Sequence, residues 1–585
     1  MMHDILIKNG LIYDGSGGDA YHADVAVTDG IITAVGDAAA GKANRKIDAD
    51  GAIVTPAWVD IHTHYDGQVT WDTDMNPSAS HGVGTIVMGN CGVGFAPVAP
   101  DGQQALIELM EGVEDIPGTA LYEGMPWGAW QTYPEYLDFL SGREYALNIS
   151  SLVAHGAVRN YVMGERGRTN EAATEGDLAQ MGDIVEEALR AGAVGFSTSR
   201  ILGHRSIQGE PVPGTFANDA EVMVIAQALK RAGKGLFQII PSSTLGPGRP
   251  EFSEHTSLEQ EIDLISRVSK QSGRPATFTL FQIDDWSDKW REAIDRVKAG
   301  NADGAQVFPQ VGSRPTGLVL SMQTYHNWML KPSYQKLKSL PANERIKAMQ
   351  NPDIKNAILR EENDITGVPV GSMEFGICHA ELNMANTFIL KSDSTYEPRQ
   401  EESVAALAGS TNQTPEAWLY DYLTEDENNM VIVFFTNYSD YNLDAVREMQ
   451  MDDATVTGLS DAGAHVSLIF DAVNPTYQLS YWTRDRSRGA TLPLAHVIHR
   501  ATRKNAELFG FTDRGLIKPG MKADINVIDY PNLRLGDLRI AKDLPAGGIR
   551  ILQDAKGYVA TLINGVPTRL DDVDTGARPG RLIRS

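Results

Sequence analysis

Two histidines one residue apart, closing an apolar run, are the first residues in this chain that could do chemistry. Residues 53–66 read IVTPAWVDIHTHYD, and Val54, Trp58, Val59 and Ile61 give the run the β-branched and aromatic bias of a buried strand. Alternation along a strand sends His62 and His64 to the same side. Two imidazoles on one face can hold a single metal ion. The plain alternative is two polar residues ending a strand, satisfied by backbone; the buried strand ahead of them favours the metal. A carboxylate can join from far along the chain. Residues 454–465, ATVTGLSDAGAH, read as a late strand with Asp461 at the end of its apolar part. A catalytic zinc site takes about three protein ligands and an open position for water, and His62, His64 and Asp461 supply three.

The elements that must bring these residues together follow from the rhythm of the chain. Residues 4–57 read as short strands and turns, with DILIKNGLIYDG expected to be a hairpin on its Asn-Gly turn and ADVAVTDGIITAVG a second on Asp29 and Gly30. An apolar strand at 84–88 then closes in Gly89, Asn90, Cys91 and Gly92, a turn that lets backbone approach a ligand. Residues 145–164 read as strand and loop with His155 just past the strand. EGDLAQMGDIVEEALRAG is a helix, AVGFSTS a strand, EVMVIAQALKRAGKG a helix, LFQIIPSS a strand, SLEQEIDLISRVSKQSG a helix and ATFTLFQI a strand. Strand and helix alternate from about 53 to about 310, which predicts a parallel sheet with helices outside it. The number of units favours an α/β fold of the closed (β/α)8 TIM-barrel type, whose chemistry sits at the C-terminal strand ends.

The expected organisation is a barrel over 57–510 carrying an insertion at about 285–430. Its irregular part, from 310 on, is read as an excursion covering the barrel mouth; a structural elaboration or an oligomer contact is the alternative. Residues 1–56 and 511–585 are both rich in short strands and are expected to build one small β-sandwich, ending in an extended tail.

At 585 residues the chain exceeds one ordinary core. Its 42% hydrophobic and 22% charged residues are those of a globular protein. A net charge of −25 argues against nucleic acid and anionic membrane as partners. Two cysteines, Cys91 and Cys378, rule out a disulfide framework. MMHDILIKNGLIYDG lacks a basic segment followed by a long apolar one, and no run reaches membrane-span length; cytoplasmic residence is the expectation.

Taken in order, PAWVDIHTH, GLSDAGAH, TRKNAELFG and DRGLIKPGMKAD give the chain a clear resemblance to the metal-dependent amidohydrolase superfamily. Within it, GNCGVGFAPV, EGVEDIP and YVMGERG look like the D-aminoacylase, or N-acyl-D-amino-acid deacylase, branch. The resemblance implies a (β/α)8 barrel with a β-sandwich built from both termini. It also implies hydrolysis of a linear amide by water activated on Zn2+ or another divalent metal, one ion or two. His62 and His64 match the paired ligands after the first strand, Cys91 the branch's cysteine ligand, and Asp461 the aspartate after the last strand, which serves as general base and acid. The branch places histidines after the fifth and sixth strands, where this chain has Gln238 and Gln282. No lysine ends AVGFSTS to form a bridging carbamate, which weighs against a cyclic-amide hydrolase of hydantoinase type.

Three arrangements stay open: one metal on His62, His64 and Asp461; a second site completed by Cys91 and a histidine such as His155; or a family member that has lost metal and activity and serves as a binding protein. Cys91 is either a thiolate ligand or a small residue in a tight turn. His155, Gln238, Gln282 and His465 are candidates for touching substrate or backing the ligands. His81, ahead of its strand, belongs at the opposite end of the barrel and reads as structural, as does Cys378; His326 and His379 read as surface residues. An N-acyl amino acid carries a carboxylate, for which Arg200, Arg205, Arg484 and Arg486 are candidate cations. A small-molecule amide is the expected partner, with a homo-oligomer possible in principle.

Overall fold

The structure is a computed structural model that describes residues 2–39, 41–245 and 256–585. Eight strands make the central sheet: β1 Trp58–Asp60, β2 Val83–Met88, β3 Asn148–Ala154, β4 Gly195–Ser199, β5 Leu236–Ile240, β6 Ala276–Thr279, β7 Val307–Val311 and β8 Val456–Thr457. They lie side by side in chain order, every pair parallel. The sheet curls until its ends meet: Thr63 bridges Ala462 in parallel, His64 N–H donates to the Ala462 carbonyl at 2.8 Å, and Asp461 N–H donates to the His62 carbonyl at 3.1 Å. The strands are buried on both faces, which is why they read as nearly continuous apolar runs.

The helices between them are punctuated as the sequence suggests. Thr174 caps Glu175–Ala191 and Ser257 caps Leu258–Ser272, each in a reciprocal capping box, while Asn218 caps Asp219–Ala232. Gly233 and Gly273 take the left-handed conformation that stops the last two.

Both chain ends enter one nine-stranded sheet, joined where Ile53–Pro56 runs antiparallel to Ile525–Ile528. Its apolar face has a core of its own, including Ile5, Val25, Val54, Ile525 and Leu562. The first expected hairpin is not one. Met2–Ile12 is a single strand in which Asn9, at φ 57°, opens a bulge between Ile7 and Gly10. Pairing with Tyr21–Thr28 on both sides of the bulge outweighs the turn preference of Asn-Gly. The second hairpin is present, with Asp29 and Gly30 at positive φ.

The insertion starts later than its composition suggests. Helix Lys289–Ala302 leads directly into β7, so the excursion begins after Val311 and ends before β8. It holds a three-stranded antiparallel sheet, Gly317–Ser321, Met430–Phe434 and Thr387–Leu390, and a core containing Trp328, Tyr334 and Tyr420. His326, read as a surface residue, is buried there, 4.6 Å from the Tyr334 ring, because its imidazole fills space between aromatic neighbours; His379 is exposed. Among the described residues no helix is long and apolar enough to cross a membrane.

His81 precedes β2 and joins the barrel to the C-terminal strands. Its Nε2–H donates to the Gln553 carbonyl at 2.8 Å, and Nδ1 lies 2.9 Å from Thr476 Oγ1. Burial pushes its pKa down to about 4. In the unfolded chain it titrates near 6.5, so the unfolded state binds more protons between those values, and the stability that neutral His81 contributes is lost as pH falls from about 6.5 to 4. His81→Gln is expected to flatten the acid limb of a denaturation-midpoint against pH plot; an unchanged slope would remove His81 from the account.

Candidate metal centre

The alternation that aims the two histidines survives beyond the end of β1. Thr63 turns outward, its hydroxyl donating to the Val87 carbonyl at 2.8 Å, while His62 and His64 turn inward with ring centroids 5.5 Å apart. Cys91 arrives from the loop after β2. Gly89, Cys91 and Gly92 all have positive φ, and a left-handed cysteine is held at a cost. Two interior side chains offset it: Gln238 Oε1 accepts from the Cys91 N–H at 3.2 Å, and Ser197 Oγ accepts from the Gly92 N–H at 3.1 Å. A Cβ on Gly92 would stand 3.0 Å from the Ser199 nitrogen, and with φ at 73° the turn favours glycine there.

His62 Nε2, His64 Nε2 and Cys91 Sγ converge. The sulfur lies 3.3 Å from the first nitrogen and 3.7 Å from the second. Asp461 Oδ1 adds an oxygen 3.2 Å from His62 Nε2 and 3.7 Å from His64 Nε2. A tetrahedral ion with bonds of about 2.0–2.3 Å spans ligand-to-ligand edges of about 3.3–3.6 Å, so these separations fit one metal without rearrangement. His62, His64 and Cys91 form the one group of three close histidine, cysteine or carboxylate donors among the described residues.

Each imidazole is backed on its other nitrogen. His62 Nδ1 lies 2.8 Å from Gln310 Oε1, and His64 Nδ1 lies 3.3 Å from Glu114 Oε1. With a metal bound, an oxygen behind each Nδ1 would keep the proton there and leave the Nε2 lone pair to the ion.

The electrostatics of the cluster follow from burial and from the charges of its own groups. Burial lowers the His62 pKa although Asp461 opposes it. Burial also pulls on His64, but Glu114, Asp461 and Asp66 carry it up to about 9. Burial, then Glu114, Asp461 and Asp66, push the Cys91 thiol up. Burial works against the Asp461 carboxylate, yet His62, His64 and His465 hold it below the usual carboxylate range.

The other candidates separate. Gln238 braces the Cys91 turn, and its Nε2 is buried with no partner among the described residues. His465 Nε2 lies 3.5 Å from Glu114 Oε2, behind the ligands. Gln282 points toward the insertion, its backbone N–H bound to Asn437 and its side chain to Asp440. His155 is buried between Thr198 and Glu221, each at 2.8 Å. Arg200 pairs with Glu261, Arg484 with Asp485, and Arg486 with Glu397 and Asp444; Arg205 donates to the Gly209 carbonyl. Three residues of the site were not singled out individually in the sequence: Glu114, which lies inside the EGVEDIP motif, Gln310 and His204. His204 lies past the end of β4, 3.0 Å from Ser199 Oγ, and burial, then His465 and His64, push its pKa down to about 3.

The profile described as the amidohydrolase family matches residues 45–569. The D-aminoacylase of Alcaligenes xylosoxydans xylosoxydans is 35% identical over 195 residues, 33% of this chain and 37% of that enzyme, so the match spans well under two thirds of its length. Two solved structures share the fold over 100% of both chains. A D-aminoacylase described for the role of its binuclear metal centre superposes at TM-score 0.65 and 22% identity. The N-acyl-D-glutamate deacylase of Bordetella bronchiseptica, bound to zinc and a phosphonate inhibitor, superposes at TM-score 0.63 and 20% identity.

Proposed function

The chain belongs to the amidohydrolase family, and from that premise we propose that it is a metal-dependent hydrolase of linear amides, of the N-acyl-D-amino-acid deacylase kind. The observation that carries the reading is the convergence of His62 Nε2, His64 Nε2 and Cys91 Sγ beside the Asp461 carboxylate. Imidazole and thiolate donors at these separations suit zinc, and one ion accounts for them. A divalent ion bound there would lower the pKa of a water from about 15.7 to about 7 and polarise the scissile carbonyl.

The chain's own groups do the rest. The Asp461 side chain is 22% exposed against 1% for both histidines, so it is the group of the cluster that meets substrate. Being ionised, it accepts the proton of the attacking water and then passes it to the leaving nitrogen. The relatives' printed activities supply the substrate class, an N-acylated D-amino acid. For the substrate carboxylate, Arg205 stands out among the four candidate arginines, because the other three are each paired with a protein carboxylate. Arg205→Met is expected to raise KM about 10- to 100-fold with kcat little changed, as removal of a charge-assisted hydrogen bond to bound substrate should.

The deciding experiment is a kinetic panel on zinc-loaded protein: N-acetyl-D-amino acids, their L enantiomers, aryl and fatty amides, and hydantoins. Turnover of a linear N-acyl amide, abolished by chelator and restored by zinc, is expected. Hydantoin opening would instead support the cyclic-amide reading. Full metal occupancy with no turnover across the panel would leave a binding protein.

A further inference from the structure

Glu114 and Asp115 are consecutive carboxylates, buried, at the C-terminal end of helix Gln103–Glu114. That is the wrong end of a helix for negative charge, and neither carboxylate has a lysine or arginine partner among the described residues. Asp115 also takes a left-handed φ of 51°. These costs maintain a set of contacts to the metal centre. Glu114 Oε1 lies 3.3 Å from His64 Nδ1 as an ion pair, and both atoms are buried without a hydrogen bond among the described residues. Glu114 Oε2 lies 3.5 Å from His465 Nε2, four residues past Asp461, and the Glu114 carbonyl accepts from the His465 N–H. Asp115 accepts from Tyr325 of the insertion at 2.8 Å and from the Ser467 hydroxyl at 3.0 Å. The helix end packs closely on the loop after β4, where a Cβ on Gly112 would come 2.3 Å from the Arg205 carbonyl oxygen.

We propose that Glu114 is a positioning residue that keeps the His64 proton on Nδ1 and the ring aimed at the centre, and thereby sets the affinity of the site for its metal. Asp115 fixes the same helix end to the loop that carries Asp461 and to the insertion. The two imidazoles are thus backed unequally, His62 by the neutral amide of Gln310 and His64 by a carboxylate. A carboxylate behind a ligating histidine raises its basicity, and removing such a partner typically costs 10- to 100-fold in metal affinity.

This inference rests on the metal-site reading, and its test needs no substrate. The zinc dissociation constant is measured by competition with a chromophoric chelator for wild type, Glu114→Gln, Glu114→Asp and Asp115→Asn, with the thermal midpoint of each metal-free protein. Glu114→Gln is expected to weaken zinc binding 10- to 100-fold, by more than any change in its metal-free midpoint accounts for. Glu114→Asp, which keeps the charge but withdraws it by one methylene, should weaken binding at least several-fold, and serves if the amide variant does not fold. Asp115→Asn should stay within about threefold of wild type. Zinc binding by Glu114→Gln within threefold of wild type overturns the proposal, as does a fall in affinity matched by a fall in the metal-free midpoint. Wild type that binds no zinc would defeat the metal-site reading itself.

Discussion

Asp461→Asn is expected to lower kcat for an N-acyl-D-amino acid by about 10²- to 10⁴-fold, the usual range for losing a general base and acid, with zinc still bound. Metal should stay because His62, His64 and Cys91 provide three donors without it. The substitution isolates the proton transfer. Asp461 has a left-handed backbone at φ 45°, which asparagine tolerates as readily as aspartate. The amide keeps an oxygen for the imidazoles but cannot accept a proton. A loss confined to kcat with KM unchanged would mark an interaction made in the transition state. Full activity in this variant would move the base elsewhere, and a variant purified without zinc would make Asp461 chiefly a ligand.

The residues of this site differ in how plainly the sequence marks them. His62 and His64 are legible because alternation survives at a strand end. Asp461 is legible from the apolar residues before it, although the expected strand over 454–465 shrinks to Val456–Thr457. Beyond β8 the chain carries Leu459, Asp461 and His465 at positive φ, a geometry that side-chain periodicity cannot report. Cys91 is marked by its glycines, which the structure uses for close approach to β3 and β4. Glu114 is not legible from spacing to His64, fifty residues earlier. Its signal lies within its own helix: it stands four residues after Met110 and eight after Leu106, on the buried stripe, where a carboxylate is out of place unless something uses it. Gln310 leaves a similar trace as the one polar side chain in VFPQV. The start of the insertion is blurred because the helix before β7 is weakly apolar and resembles excursion sequence.

The insertion is held to the barrel by a buried charge, and its removal should be costly. Arg314 follows β7 at the root of the insertion with its side chain 1% exposed. It pairs with Asp471 at 2.6 Å, donates to the Phe470 carbonyl, and lies over the Tyr396 ring at 4.0 Å. One guanidinium therefore joins the end of β7, the loop after β8 and the middle of the insertion. Arg314→Met keeps the apolar bulk but leaves Asp471 buried without its counter-ion, which typically costs about 3–5 kcal/mol. Even with Arg314 present, burial pushes the Asp471 pKa up to about 6, so its charge depends on this partner. Denaturant titration of the variant should show that loss. A double variant, Arg314→Met with Asp471→Leu, should recover much of it, since no buried charge then remains. The two outcomes separate desolvation from packing: if the double variant is as unstable as the single one, the guanidinium's contacts with Phe470 and Tyr396, rather than the stranded carboxylate, hold the insertion in place.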